Sequence, residues 1–116
     1  MKKVWCFAPQ TGGDKISPDK FQAIMAKVEA HEKKQPWYPR FKLKIRFKGQ
    51  FCYLDAFKAG GDPFPIGRLR FFDRDDWSLA FYAYSSETYR PCVFSDGREL
   101  GKLEDAINIC AVYLHD

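Results

Sequence analysis

The sequence predicts a single α+β domain spanning residues 1–116. The expected architecture is a two-layer sandwich, with a mainly antiparallel meander of four or five strands and an N-terminal and a C-terminal helix on one face. Residues 40–48 alternate between cations and apolar side chains, the period of a half-buried strand. Apolar side chains recur at helical spacing near both ends of the chain. With 116 residues, 46% of them hydrophobic, the chain can form one core.

The two helices are defined by their caps and apolar stripes. The first is predicted at residues 18–34, because Ser17 is a good N-cap and Pro18 suits the first helical position. Its stripe consists of Phe21, Ile24, Met25 and Val28. The last helix is predicted at residues 102–114, with a stripe of Leu103, Ala106, Ile107, Cys110 and Leu114. Both helices should cover the apolar face of the sheet.

The alternating run predicts the first strand, and a two-residue turn at residues 48–49 leads into the second. We expect Phe47 to pair with Gln50, because this register gives one apolar face and one polar face. On the polar face, Lys42 would then lie opposite Asp55 and form an ion pair with it.

Three further strands are predicted, at residues 65–71, 77–84 and 89–94. The loop after the third strand sets Phe71 opposite Trp77. In the fifth strand, Cys92 is expected opposite Phe81. Because Pro91 cannot donate a ladder hydrogen bond, the fifth strand should be an edge. The acidic segment at 73–76 is interpreted as a solvated hairpin loop, and residues 4–7 could form another short strand.

The outer face of this sheet combines cations with aromatic rings. Its candidate binding residues are Arg40, Lys42, Lys44, Arg46, Phe51, Tyr53, Phe57, Arg68, Arg70, Tyr82 and Tyr84. Such a face can bind a protein partner or a second copy of the chain, and these are the partners we expect. The alternative is single-stranded nucleic acid or RNA, through phosphate contacts and base stacking. The same residues can also be purely structural, since cations protect edge strands and pair with rings.

The positive charge is concentrated in one part of the chain. The net charge is only +4, yet residues 32–48 contain seven lysines and arginines and one acid. This asymmetry can create a local positive field on a nearly balanced protein. The charge asymmetry therefore indicates the alternating strand as the candidate binding surface.

No catalytic motif, cofactor or metal site is expected. His31 and His115 lie near helix ends and lack a serine or cysteine partner pattern. The cysteines, which lack the close-spaced pairs of structural zinc sites, are Cys6, Cys52, Cys92 and Cys110. They are interpreted as small hydrophobic residues in a reducing cytoplasm. No apolar run approaches the roughly 18 residues of a membrane span, so no membrane contact is expected.

Two resemblances to known families bear on the fold. The order helix–strands–helix resembles a double-stranded-RNA-binding domain in topology. That family carries a lysine cluster where this chain has Lys102-Leu103-Glu104-Asp105, and it has fewer strands, so we reject it. The segments RFKGQFCYLDA at 46–56, WSLAFY at 77–82 and the helix at 101–114 resemble a group of small uncharacterised bacterial proteins. That resemblance implies a bacterial cytoplasmic origin and supplies no function.

Overall fold

The computed structural model describes residues 12–114 and confirms the α+β fold. The strands are β1 (Phe41–Lys48), β2 (Phe51–Lys58), β3 (Phe64–Asp73), β4 (Asp76–Ala83) and β5 (Thr88–Cys92), and the helices are α1 (Phe21–Glu32) and α2 (Leu103–Cys110). The strands form one antiparallel sheet in the order β1-β2-β3-β4-β5. The expected strand at 4–7, Cys6 and His115 lie outside the described residues.

Both helices are shorter than predicted, because 3₁₀ turns occupy part of the expected ranges. Pro18–Lys20 forms such a turn before α1, and Ala111–Tyr113 forms another after α2. Ile24 and Val28 are buried, but Met25 is 45% exposed and was wrongly assigned to the apolar stripe. Since α1 packs mainly on the edge strand β1, it buries a narrow stripe. No helix within residues 12–114 is long and apolar enough to cross a membrane.

The β1–β2 hairpin differs from the predicted register by two residues. Lys48 pairs with Phe51, so Gly49 and Gln50 form the turn. Gly49 has a positive φ of 60°. Its carbonyl accepts a hydrogen bond from Ile16, and the Gln50 carbonyl accepts one from the backbone of β3. Distant segments therefore fix this turn. Because the shift is even, each side chain keeps its predicted face.

The β3–β4 register is confirmed where it was predicted. Phe71 pairs with Trp77, and the ladder then continues through a bulge to Asp73 and Asp76. The hairpin loop is accordingly shorter than the predicted five residues. This bulge carries the acidic segment over the N-terminal end of α2.

The β4–β5 register is also displaced by two residues. Cys92 pairs with Leu79 rather than Phe81, and β5 ends at Cys92 instead of continuing to Phe94. The Phe94 N–H donates to the Arg98 carbonyl in the following turn, which removes it from the strand. The edge position of β5 is confirmed.

The core lies between the helices and the apolar face of the sheet. Its most deeply buried large side chains include Ile16, Leu54, Ile66, Leu69, Trp77, Leu79, Leu103 and Ile107. Helix α2 crosses β3 at Gly67, where a Cβ atom would lie 2.4 Å from the Cys110 sulfur. Glycine at this position therefore allows close contact between the two layers.

Asp75 ties the β3–β4 turn to both helices. Its Oδ1 accepts the Trp77 indole N–H at 3.0 Å and the Leu103 backbone N–H at 3.3 Å. Its Oδ2 accepts a bond from Lys27 in α1 at 2.9 Å. The interpretation of this segment as a merely solvated loop was wrong for Asp75, whose side chain is only 30% exposed.

Candidate interaction face

The sheet surface that points away from α1 and α2 is here called the outer face. It comprises Lys42, Lys44, Arg46 and Lys48 from β1, Phe51, Tyr53, Asp55 and Phe57 from β2, Arg68 and Arg70 from β3, Ser78, Ala80 and Tyr82 from β4, and Tyr89 and Pro91 from β5. Both helices contribute to the core on the opposite side. Within the described part of the chain, no helix covers the outer face.

The structure brings most of the predicted site residues into one network of contacts. These are Arg46, Phe51, Tyr53, Arg68, Arg70, Tyr82 and Tyr84. Lys42 and Lys44 lie exposed along the edge strand, with Phe57 opposite Lys42. Arg40 does not belong to β1, because it lies in the preceding turn.

Arg68 occupies the centre of the outer face. Its guanidinium carbon lies 4.6 Å from the centre of the Phe51 ring and 5.1 Å from that of the Tyr89 ring. The neighbouring Arg70 lies 4.6 Å from the same Phe51 ring. Burial, together with the charge of Arg68, lowers the pKa of Arg70. Two cations of the middle strand, β3, thus share one aromatic ring of β2.

Arg46 is held by an acid as well as by a ring. It donates to Asp55 at 2.8 Å and 3.2 Å, and its guanidinium carbon lies 4.7 Å from the Tyr53 ring centre. Donation to Asp55 raises the pKa of Arg46. The expected ion pair of Asp55 with Lys42 was wrong, because the two-residue register shift places Lys44 directly opposite Asp55.

Five tyrosines continue the network toward one corner of the sheet. Ring centres are 5.7 Å apart between Tyr53 and Tyr89, and 5.0 Å apart between Tyr89 and Tyr82. The contacts continue from Tyr82 to Tyr84 at 4.8 Å and from Tyr84 to Tyr113 at 5.2 Å. All four pairs are edge-to-face, the arrangement that the ring quadrupole favours. Burial raises the pKa of Tyr84 to about 12.

Tyr89 is the residue that the sequence-based site omitted. It lies at the start of the predicted fifth strand, 89–94, but it was not among the candidate binding residues. In the structure Tyr89 contacts Tyr53, Tyr82 and Arg68. The available signal was the pairing of β4 with β5, since Tyr89 lies directly opposite Tyr82.

The charge of the outer face is strongly one-sided. It carries six lysines and arginines and a single carboxylate, Asp55, which is 7% exposed. Lys42, Lys44 and Lys48 are exposed along β1, and Arg46 on the same strand lies over the Tyr53 ring, while Arg68 and Arg70 lie on the middle strand against Phe51. The face therefore has an arginine–aromatic centre and a lysine rim on the β1 side.

The histidine and cysteine side chains described by the structure lie elsewhere. His31 forms a hydrogen bond with Asn108 at 2.8 Å and so joins α1 to α2. Burial raises the pKa values of the Cys52 and Cys110 thiols to about 12. Across residues 12–114, no three His, Cys, Asp or Glu side chains are grouped so that they could hold a metal ion.

Comparisons with known proteins do not identify a family for this chain. No protein-family model, curated protein or solved structure matches it. The fold and the outer face define an α+β protein with an open, basic and tyrosine-rich sheet surface. Its function is inferred from the chemistry of that surface.

Proposed function

We propose that this protein is a non-enzymatic binding module whose outer face contacts a protein partner bearing acidic groups. The observation that carries the proposal is the arrangement of the face, with Arg68, Arg70 and aromatic rings at its centre and lysines along its β1 rim. Protein interfaces are enriched in tyrosine, phenylalanine and arginine and depleted in lysine. Energetic hot spots are likewise rich in tyrosine and arginine and lie near the interface centre.

The internal contacts of the outer face support high affinity. Arg68 is held between Phe51 and Tyr89, and Arg46 is held by Asp55 and Tyr53. Side chains that are already ordered lose little rotamer entropy on association. A partner would therefore meet a preformed set of N–H donors and ring edges.

The charge of the face favours a different, acidic protein over a second copy of the chain. A symmetric dimer through the outer face would oppose six cations with six cations. Like charges across an interface cost several kcal/mol. An acidic surface has the complementary potential and would also associate faster.

Nucleic acid is the second candidate, and the exposed row formed by Lys42, Lys44 and Lys48 favours it. Lysines on an accessible strand can contact successive phosphates. The rings are less suited to this role, because guanidinium groups lie against Phe51 and Tyr53, where bases would stack. This arrangement supports protein binding more strongly.

We also propose a cytoplasmic location. The structure contains free thiols at Cys52, Cys92 and Cys110. Free cysteines are typical of reducing compartments, whereas exported domains of this size commonly use disulfides. This supports the location inferred from the sequence.

Site-specific photo-crosslinking tests the proposed function. Tyr84, which is 45% exposed, is replaced by a photoreactive phenylalanine analogue, and the protein is irradiated in lysate of the source organism. The captured protein is purified, and its affinity is measured by titration calorimetry. Lys42→Glu/Lys44→Glu reverses two charges on the outer face. The matched control, Lys33→Glu/Lys34→Glu, makes the same charge change after α1 on the other layer.

We expect a partner with an acidic surface. The outer-face variant should weaken binding by about tenfold or more, with the largest change in association rate, and the control by less than about twofold. Equal affinity for both variants would refute the role of the outer face. If the captured species are instead nucleic acids whose binding falls steeply with salt, the second candidate function is correct.

A further inference from the structure

A small hollow lies in the outer face beside the two arginines of β3. It has a cavity volume of about 10 Å³ and opens to solvent. Its walls are formed by Phe51, Arg68, Arg70, Ser78, Leu79, Ala80 and Pro91. A volume of this size accommodates one water-sized polar group.

The hollow exists because small residues face large ones across the sheet. Ala80 lies opposite Arg68, and Ser78 lies opposite Arg70. On the next strand Pro91 lies opposite Ala80. The short side chains of β4 therefore leave space that the guanidinium groups border without filling.

The chemistry of the walls suits an anion. Among residues 12–114, Arg68 contacts two rings and forms no ion pair with a carboxylate. This contrasts with Arg46, whose charge is balanced by Asp55. The Ser78 side chain, in a residue only 4% exposed, adds a hydroxyl to the wall. A carboxylate can accept parallel hydrogen bonds from a guanidinium group.

We propose that this hollow holds one oxygen of an aspartate or glutamate carboxylate of the partner, and that Arg68 and Arg70 bind this carboxylate above Ala80. The inference rests on the proposed function and places its anchor at the centre of the sheet. A bound carboxylate supplies the negative charge that Arg68 does not find in an ion pair among residues 12–114, while Arg70, which also donates to the Gly12 carbonyl at 2.9 Å, borders the same hollow. A contact at the centre of an interface, away from the rim, is where binding energy concentrates.

Arginine-detected NMR titration tests the subsite with defined probes. The ¹⁵N-labelled protein is titrated at low salt with a capped hexaglutamate peptide, a capped hexaglutamine peptide, sodium phosphate and a six-residue oligothymidylate. The Nε–H signals of Arg68 and Arg70 report on the hollow. Ala80→Val fills the hollow without changing charge, and Arg68→Gln removes the proposed anchor. The matched control is Arg90→Gln, on the opposite face of β5.

We expect hexaglutamate, and not hexaglutamine, to shift the Arg68 and Arg70 Nε–H signals. Its affinity should fall by about tenfold with Arg68→Gln and by about fivefold with Ala80→Val, and by less than about twofold with Arg90→Gln. The backbone spectrum and thermal melt of each variant verify its fold. Arg68→Gln acts by removing a guanidinium group and Ala80→Val acts by filling the hollow, so the two tests are independent.

Three outcomes would overturn the subsite. If hexaglutamate shifts outer-face signals but binds Arg68→Gln and Ala80→Val normally, the hollow is wrong while an acid-binding face stands. If phosphate or oligothymidylate binds more tightly and Ala80→Val weakens that binding, the ligand is a phosphate. If no probe shifts the arginine signals, the anchor does not exist, and the crosslinking experiment decides the proposed function separately.

Discussion

Replacing Gly67 with alanine tests how closely α2 packs on the sheet. The new Cβ would lie 2.4 Å from the Cys110 sulfur and 3.3 Å from the Ala80 carbonyl oxygen. Favourable contacts lie at about 3.5–4.0 Å, so the sulfur must move by roughly 1 Å. Overpacking of this kind costs about 1–3 kcal/mol. The lower entropy of the unfolded alanine chain offsets about 0.4–1 kcal/mol, which leaves a net loss of up to about 2.6 kcal/mol.

A second substitution identifies the cause of that loss. Cys110→Ala removes the sulfur, and the remaining Cys110 Cβ would lie 3.6 Å from the new Cβ, an ordinary contact. Alone, Cys110→Ala should cost about 1 kcal/mol for one buried atom. Because the clash is removed, the double variant should be as stable as Cys110→Ala alone or up to about 1 kcal/mol more stable, and the coupling energy should equal the removed clash of about 1–3 kcal/mol.

Urea unfolding followed by tryptophan fluorescence measures these free energies of unfolding. Trp77 and Trp37 are buried and should report on loss of the core. The control is Gly61→Ala, where the nearest neighbour of the added Cβ would be a backbone oxygen at 3.4 Å. It should change stability by less than about 0.5 kcal/mol. Strict additivity of the Gly67 and Cys110 substitutions would refute the clash.

Two further predictions concern carboxylates that bind the backbone. Burial raises the pKa of Glu32 above its ordinary 4.5, and its carboxylate accepts the Leu43 N–H at 2.9 Å. At pH values between the unfolded-state pKa and the folded-state pKa of Glu32, the folded state binds more protons than the unfolded state. The free energy of unfolding therefore falls as the pH rises through that interval. In urea titrations, the free energy of unfolding of Glu32→Gln relative to wild type should increase from pH 4 to pH 7. A difference between the two proteins that stays constant over this range would contradict the prediction. Asp75→Ala should cost about 1–3 kcal/mol, because the Leu103 N–H loses its acceptor. Lys27→Ala removes only the exposed side of that contact and should cost less than about 1 kcal/mol, so equal losses for the two variants would count against the Asp75 mechanism.

The faces of the sheet were predictable from the sequence, but the pairing within two hairpins was not. A side-chain period of two assigns each residue to a face, and a two-residue shift leaves that assignment unchanged. In the β1–β2 hairpin, the observed turn is bonded to distant segments, since the N–H groups of Ile16 and Phe71 donate to the carbonyls of Gly49 and Gln50. These partners are distant in the chain, and local turn preferences do not contain that information.

The same limit applies to the candidate site. Alternation placed Arg68 and Tyr89 on the outer face, yet their contact spans β3 to β5 across the intervening strand. The β4 residue directly opposite Arg68 is Ala80, whose small side chain leaves room for this diagonal contact, and Tyr89 itself lies opposite Tyr82. Ala80 also creates the hollow, so one short side chain determines two features of the site. Neither the contact nor the hollow can be predicted before the pairing of β3, β4 and β5 is known.

The outer face has a structural role and a proposed binding role, and β3 distinguishes them. Cations on β1 protect an exposed edge, which explains Lys42 and Lys44 without a ligand. That explanation does not extend to Arg68 and Arg70, because β3 is the middle strand and has no edge to protect. Burial lowers the pKa of Arg70, and the neighbouring charge of Arg68 adds to that shift. An anion beside the two guanidinium groups would supply the negative charge that Arg68 does not find in a carboxylate among residues 12–114. The central arginines, rather than the longer lysine row on β1, therefore carry the case for a ligand.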